Sequence, residues 1–196
     1  MDDIGMDEIR WTPTAERILR VASELFYARG IRAVGVDTIA EAAGTTKKTL
    51  YDRFGSKDRL VAAYLEARDA RWRAFLEAHL EQHGPDPEAR LLAVFDATEI
   101  WQERNARRGC SVINAGAELV DPDHPARRLL APQKLWLRDL LLDLAGAAGL
   151  REPEHLADQL LLVHEGALVA LSVAELDSTM DAARAAVRTL IATHRR

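Results

Sequence analysis

The chain has one cysteine, Cys110, in 196 residues. No intrachain disulfide can form, and a lone thiol fits a reducing compartment. No run of about 18 uncharged apolar residues occurs, so no membrane span is read and no membrane partner is expected. The first ten residues, MDDIGMDEIR, lack the basic and apolar regions of a secretory leader, and a cytoplasmic location is the expectation. Enzyme signatures are missing too. There is no G-x-S-x-G, no phosphate-binding P-loop, no G-x-G-x-x-G fingerprint and no metal set of convincing spacing, so neither catalysis nor a cofactor is expected. Period-2 alternation and two-residue hairpin turns are absent. What remains is Ala- and Leu-rich sequence broken by capping residues, and it reads as an all-α chain. Its 48% hydrophobic and 29% charged residues suit a soluble globular protein able to bury one large or two small cores.

Helix periodicity and punctuation divide the chain. Ile18, Ala22, Leu25 and Phe26 form one stripe of a helix over 14–29, capped by Thr12 or Thr14 beside Pro13 and stopped by Gly30. A short helix over 36–43 ends at Gly44. Another over 47–54 starts from Thr46 and stops at Gly55. Ser56 then caps a long helix running to about residue 82. HGPDPEA breaks the pattern, with Pro87 as a first-turn proline, and a helix follows to about 104. SVINAGAELV is helical, and DPDHP is a turn cluster leading into a Leu-rich helix that Pro132 kinks or delays and Gly149 ends. Helices over 153–175 and 179–194 complete the chain, the last with a Ser178–Asp181 capping box.

Charge is unevenly spread. Residues 14–60 hold nine Lys/Arg against six Asp/Glu, a balance of +3, so with a formal net charge of -5 the remainder carries -8. A basic face on an acidic body fits an anionic partner. The densest part is GTTKKTLYDRFGSKDRL, residues 44–60. Two short helices meeting at a tight turn, braced by a longer one, form a helix-turn-helix whose second helix enters a major groove N-terminus first. Thr45, Thr46 and Thr49 permit close backbone approach, and Lys47 and Lys48 supply charge at the leading end. Tyr51 offers a hydroxyl on a rigid ring, Lys57 a phosphate clamp, and Arg53 a further cation. Leu50 and Phe54, four apart, face the core.

The ordered features LF-x3-G (25–30), D-x-IA-x-AAG (37–44), TLY-x-x-F (49–54) and SK-x-x-L (56–60) resemble the DNA-binding region of the TetR family of bacterial transcriptional regulators, over residues 15–65. The resemblance implies an N-terminal three-helix helix-turn-helix domain (1–60) and a C-terminal helical bundle (61–196) for effector binding and dimerisation. It implies a cytoplasmic homodimer on double-stranded, palindromic operator DNA, a repressor released by a small-molecule effector. The alternative is a DNA-binding dimer without a small ligand, controlled by a protein partner or by abundance. One position departs from the pattern: many relatives carry Ser or Thr where Gly35 stands, so Gly35 is left out of the site.

The same resemblance places an effector pocket among the helices of the second domain. Phe95, Trp101, Cys110, Asn114, Trp136, His164 and Glu165 are the candidates there, with core packing as the competing reading for each. LLLVHEGALVALSVAEL (160–176) is apolar nearly all round and, with the final helix, is the expected dimer seam. Ala167, Ala170 and Ala174 allow close approach, and Val187, Leu190 and Ile191 complete the interface. His79 with His83, and Asp121, Asp123 and His124, have metal-like spacing on paper, but a helix end and a capped turn account for them better.

Overall fold

The computed structural model describes residues 9–105, 107–174 and 176–195; the acidic start and residue 175, where the eighth helix was expected to end, lie outside them. Nine α-helices and no strand occur among the described residues: α1 (Pro13–Arg29), α2 (Val36–Ala42), α3 (Lys47–Phe54), α4 (Lys57–Gln82), α5 (Pro87–Arg104), α6 (Ser111–Glu118), α7 (Leu130–Ala147), α8 (Pro153–Val169) and α9 (Thr179–His194). A 3-10 turn at Pro125–Leu129 precedes α7, and α8 widens into a π-turn over Ala170–Ala174.

Local chemistry sets most boundaries. The Thr12 hydroxyl accepts from the Ala15 amide at 3.2 Å and Pro13 opens α1, satisfying a donor the helix start would otherwise leave unpaired. Of the two effects expected of Pro132, the structure shows the delay and not the kink: residues Pro125–Leu129 form a 3-10 turn and α7 begins at Leu130, so Pro132 lies in the first turn, where its missing N–H has no helical acceptor to lose. At the other end the Leu150 amide donates to Ala145 O at 3.2 Å around Gly149, whose φ is +66°, the left-handed stop that glycine permits. The Ser178 side chain makes no capping hydrogen bond. Asp181 instead takes a 2.6 Å bond from Arg184, which also reaches Asp96 at 3.1 Å and Glu99 at 2.7 Å; a guanidinium matches carboxylates better than a hydroxyl can compete.

The chain folds as two compact units, Met1–Asp69 with Ser111–Ala131, and Ala70–Cys110 with Pro132–Arg196. In the first, Ile18, Ala22 and Phe26 of α1, Ile39 of α2, Leu50 and Phe54 of α3 and Leu60, Val61 and Tyr64 of α4 share one core, joined by Ala115, Leu119 and Ala126. Phe54 is wholly buried, and truncating such a ring costs about 3–5 kcal/mol. The Glu118 carboxylate of α6 accepts from the Arg32 amide at 2.8 Å. Lys57 Nζ donates to Ile31 O at 2.7 Å, so the connection after α1 is held from two sides. His124 Nδ1 accepts from the Ala126 amide at 3.1 Å, and Asp121 from the Asp123 amide at 2.9 Å; these side chains cap turns.

The second unit packs Leu76, Leu91, Val94, Phe95, Leu141, Leu156, Leu160, Met180, Val187 and Ile191. The stretch Pro153–Ala174 is long and apolar enough to cross a membrane by composition. It turns Leu156, Leu160, Ala167 and Leu171 into this core, and His164 and Leu168 are buried too, as in a core helix. The His79 and His83 rings meet at a tilt with centroids 4.5 Å apart, and His83 Nδ1 lies 2.8 Å from His79 O. Burial, then the neighbouring His83, lowers the His79 pKa.

Candidate nucleic-acid interface

The reading helix is built from its cap outward. Thr46 has extended backbone and its hydroxyl accepts from the Thr49 amide at 3.1 Å, with the two hydroxyls 2.9 Å apart. Gly44, at φ +60° with open space where a Cβ would stand, and the Thr45 amide donating to Ala40 O at 2.9 Å make the turn between α2 and α3. Arg17 Nε donates to Ala43 O at 2.8 Å, tying α1 to the end of α2. The turn is thus rigid where it would approach a phosphodiester backbone. Leu50 and Phe54 are buried, which turns Thr46, Lys47, Lys48 and Tyr51 to solvent. A helix start lined with hydroxyls and ammonium groups is chemically suited to phosphate oxygens and base edges.

The expected contact residues are not all equally free. Lys48 is exposed and Tyr51 is 39% exposed. Lys47 pairs with Asp37 at 3.1 Å on the surface, where such pairs are weak and readily exchanged. Arg53 is half-buried, its Nε lacking a hydrogen-bond partner among the described residues. Lys57 is the exception: besides its bond to Ile31 O it lies 5.9 Å from the Phe26 ring centroid. Burial lowers its pKa, offset in part by Asp58 and Glu118. Its first role is to hold the α1–α2 connection. Gly35 makes no side-chain cap to α2, as its lack of a hydroxyl requires.

The profile described as "Bacterial regulatory proteins, tetR family" matches residues 18–64, the α1–α4 unit just described. Beyond it, the chain is 30% identical over 162 residues to the transcriptional regulator AcuR of Cereibacter sphaeroides, covering 79% of this chain and 74% of AcuR. The solved structure of SCO4454, a TetR-family transcriptional regulator from Streptomyces coelicolor, superposes with a TM-score of 0.86 at 29% identity, covering 93% of this chain and 96% of that one. The structure of sav143 from Streptomyces avermitilis gives 0.81 at 32% identity, covering 93% and 98%. This chain belongs to the TetR family.

In this TetR-family chain the candidate effector residues separate. Phe95 and His164 meet edge to face, 5.9 Å between centroids. His164 Nε2 lies 3.0 Å from Thr98 Oγ1 and Nδ1 lies 3.1 Å from Glu165 Oε1. Both Glu165 oxygens accept from Lys134 Nζ, at 2.8 and 2.7 Å, and that ammonium also reaches Cys110 Sγ at 3.1 Å. Trp101 instead packs with Trp72 and Phe75, and Trp136 lies under the Arg73 guanidinium. Asn114, on α6, belongs to the first unit. Sequence reasoning overlooked Thr98, Gln102 and Lys134. Their signal was present: Lys134 falls on the buried stripe with Leu137 and Leu141, and Thr98 and Gln102 on that with Leu91 and Phe95, and a polar group on an apolar stripe needs a partner.

Of the expected interface residues, Ala167, Val187 and Ile191 are buried in the second unit's own core. Ala170 and Leu190 are half-buried and Ala174 is exposed. The apolar stripe that stays exposed is Leu162 (72%), Val169 and Val173 (78%), with Gly166 between them. Helix period accounts for the difference: positions 162, 166, 169 and 173 face opposite to 160, 164, 167 and 171.

Proposed function

We propose that this TetR-family transcriptional regulator is a cytoplasmic, homodimeric repressor that occupies a palindromic operator and is released by a small molecule bound in its second unit. The observation that carries this is α3: a helix fixed by Leu50 and Phe54, with a capped, hydroxyl- and lysine-rich start facing solvent. Thr45, Thr46, Thr49, Lys48 and Tyr51 are the proposed DNA contacts, with Lys47 and Arg53 recruited when phosphate replaces their present surroundings. The dimer seam is proposed along Leu162, Gly166, Val169, Val173 and Ala174, because a contiguous exposed apolar stripe on a soluble chain marks an interface. A dimer reading a palindrome needs its two copies of α3 about 34–36 Å apart, one turn of duplex. The polar set of buried Thr98 and His164 with half-buried Glu165 and Lys134 supports the effector reading, since hydrophobic packing alone does not call for it.

The test is an unbiased operator selection with the full-length protein, the winning duplex then titrated at several salt concentrations. A palindromic winner with a steep salt slope is the expected result. No enriched sequence, from protein refolded free of small molecules, would overturn the reading.

A further inference from the structure

We infer that Glu118 is a positioning residue for operator binding, an acid this chain needs in order to hold a polyanion tightly. With Lys57 it grips the peptide group from which α2 is hung. The inference rests on the operator-binding reading above and goes beyond it, since Glu118 lies outside the DNA-reading segment 18–64.

Ile31 C=O and Arg32 N–H belong to the same peptide bond. Its oxygen accepts from Lys57 Nζ at 2.7 Å, and its N–H donates to Glu118 Oε2 at 2.8 Å. Lys57 opens α4 and Glu118 closes α6, so two helices remote in sequence hold the two ends of one peptide dipole. The polarity is right at both: a cation meets the carbonyl and an anion meets the amide, each in a charge-assisted bond. Each ion also favours the other, since the charge of Glu118 works against the burial that lowers the Lys57 pKa. Gly30 leaves room for the carboxylate. With φ +90°, it has no Cβ, and one placed there would stand 3.2 Å from both Glu118 oxygens.

Both sides of the grip are anchored. Leu119, next to Glu118, and Ala115, one turn earlier, are buried in the first unit's core. Leu119 O also accepts from the Arg127 guanidinium. On the other side Leu60 and Val61 fix the start of α4 in the same core. What they hold has few local constraints of its own. Ile31 and Val34 are buried, but Arg32, Ala33 and Gly35 are exposed, and Gly35 gives α2 no side-chain cap. Without the grip, the direction in which α2 leaves this connection is set by Ile31 and Val34 alone. The reading helix α3 then follows α2 through the Gly44–Thr45 turn.

Electrostatics alone calls for the reverse outcome. An acid repels a duplex, so deleting one should tighten binding. Position and charge therefore demand opposite signs at Glu118. They also separate at Lys57. Losing a phosphate contact weakens every duplex alike and flattens the salt slope by about one, whereas losing a positioning contact weakens the matched sequence.

The experiment measures fluorescence anisotropy of full-length variants with the selected operator and with a random duplex, at several salt concentrations. Glu118→Asp keeps the charge but draws the carboxylate back by a methylene. Glu118→Gln keeps the reach and an acceptor oxygen without the charge. We expect Glu118→Asp and Glu118→Ala to lose about tenfold in operator affinity, with random-duplex binding unchanged, and Glu118→Gln to keep most of it. Asp123→Asn, which removes an exposed acid from the same 111–131 segment, should bind at least as tightly as the wild type. Lys57→Met should lose operator affinity and keep the wild-type salt slope on the random duplex. Glu118→Asp binding the operator as the wild type does overturns the inference, as does tighter binding by Glu118→Ala. So does a Lys57→Met slope flatter by about one, which would make Lys57 a phosphate contact. Glu118→Asp and Glu118→Gln keep a polar side chain of similar size, so they decide the matter even where Glu118→Ala does not fold. If the wild type enriches no operator, the regulator reading itself fails, which is a different result from tight binding indifferent to position 118.

Discussion

Replacing Glu165 by Gln tests the half-buried ion pair it forms with Lys134 in the second unit. The carboxylate is 20% exposed and holds Lys134 at 2.7 Å. Burial alone would raise its pKa. The hydrogen bond from His164 and the charge of Lys134 outweigh burial and bring it down to about 2 from 4.5. A folded-state value below the unfolded one adds stability above the unfolded pKa, and that stability is lost as pH falls toward the folded pKa. A drop of this size corresponds to about 3 kcal/mol near neutral pH, falling to about 2 kcal/mol by about pH 3.5. Stripping one partner from a fully buried ion pair costs about 3–5 kcal/mol, an upper bound for this half-buried one. Urea unfolding followed by tryptophan fluorescence, at fixed protein concentration, should show Glu165→Gln weaker by about 3 kcal/mol near neutrality, with the gap narrowing in acid. Removing Lys134 as well should recover most of the loss, because no orphaned ammonium remains. A single variant within about 1 kcal/mol of wild type near neutrality, or a gap that does not change with pH, would refute the reasoning.

Three further outcomes are expected. Thr46→Ala removes the α3 cap and should cost about 1 kcal/mol in urea unfolding while weakening operator binding. Lys48→Ala removes an exposed cation from the reading helix; operator affinity should fall and the log–log salt slope should flatten by about one, measured by anisotropy at several ionic strengths. Gly109→Ala forces a side chain into left-handed backbone against Ser172 Oγ and should destabilise the fold by about 1–3 kcal/mol, read as a lowered thermal midpoint.

Much of the fold was legible because it is local. Thr12 with Pro13, Thr46 with Gly55, Asp86 with Pro87, and Gly149 set helix ends through bonds spanning a few residues. The same holds for the inward face of α3, since Leu50 and Phe54 are one turn apart. Where local signals competed, the prediction slipped. Ser178 and Asp181 have capping-box spacing, but Arg184 draws Asp181 into a cluster with Asp96 and Glu99. The apolar run of α8 was readable as a two-sided helix, yet composition gave no means of deciding which alanines and leucines face inward.

The sequence by itself determined an all-helical chain with a lysine- and threonine-rich reading helix at residues 46–54, because capping, periodicity and turn chemistry act within a turn or two of helix. Only the tertiary structure decided what joins residues far apart in the chain. Lys57 holds Ile31 across 26 positions, Lys134 holds Glu165 across 31, Thr98 meets His164 across 66 and Glu118 reaches Arg32 across 86. Each of these pairings depends on how helices pack side by side, and that arrangement is fixed by the whole core at once rather than by any short stretch.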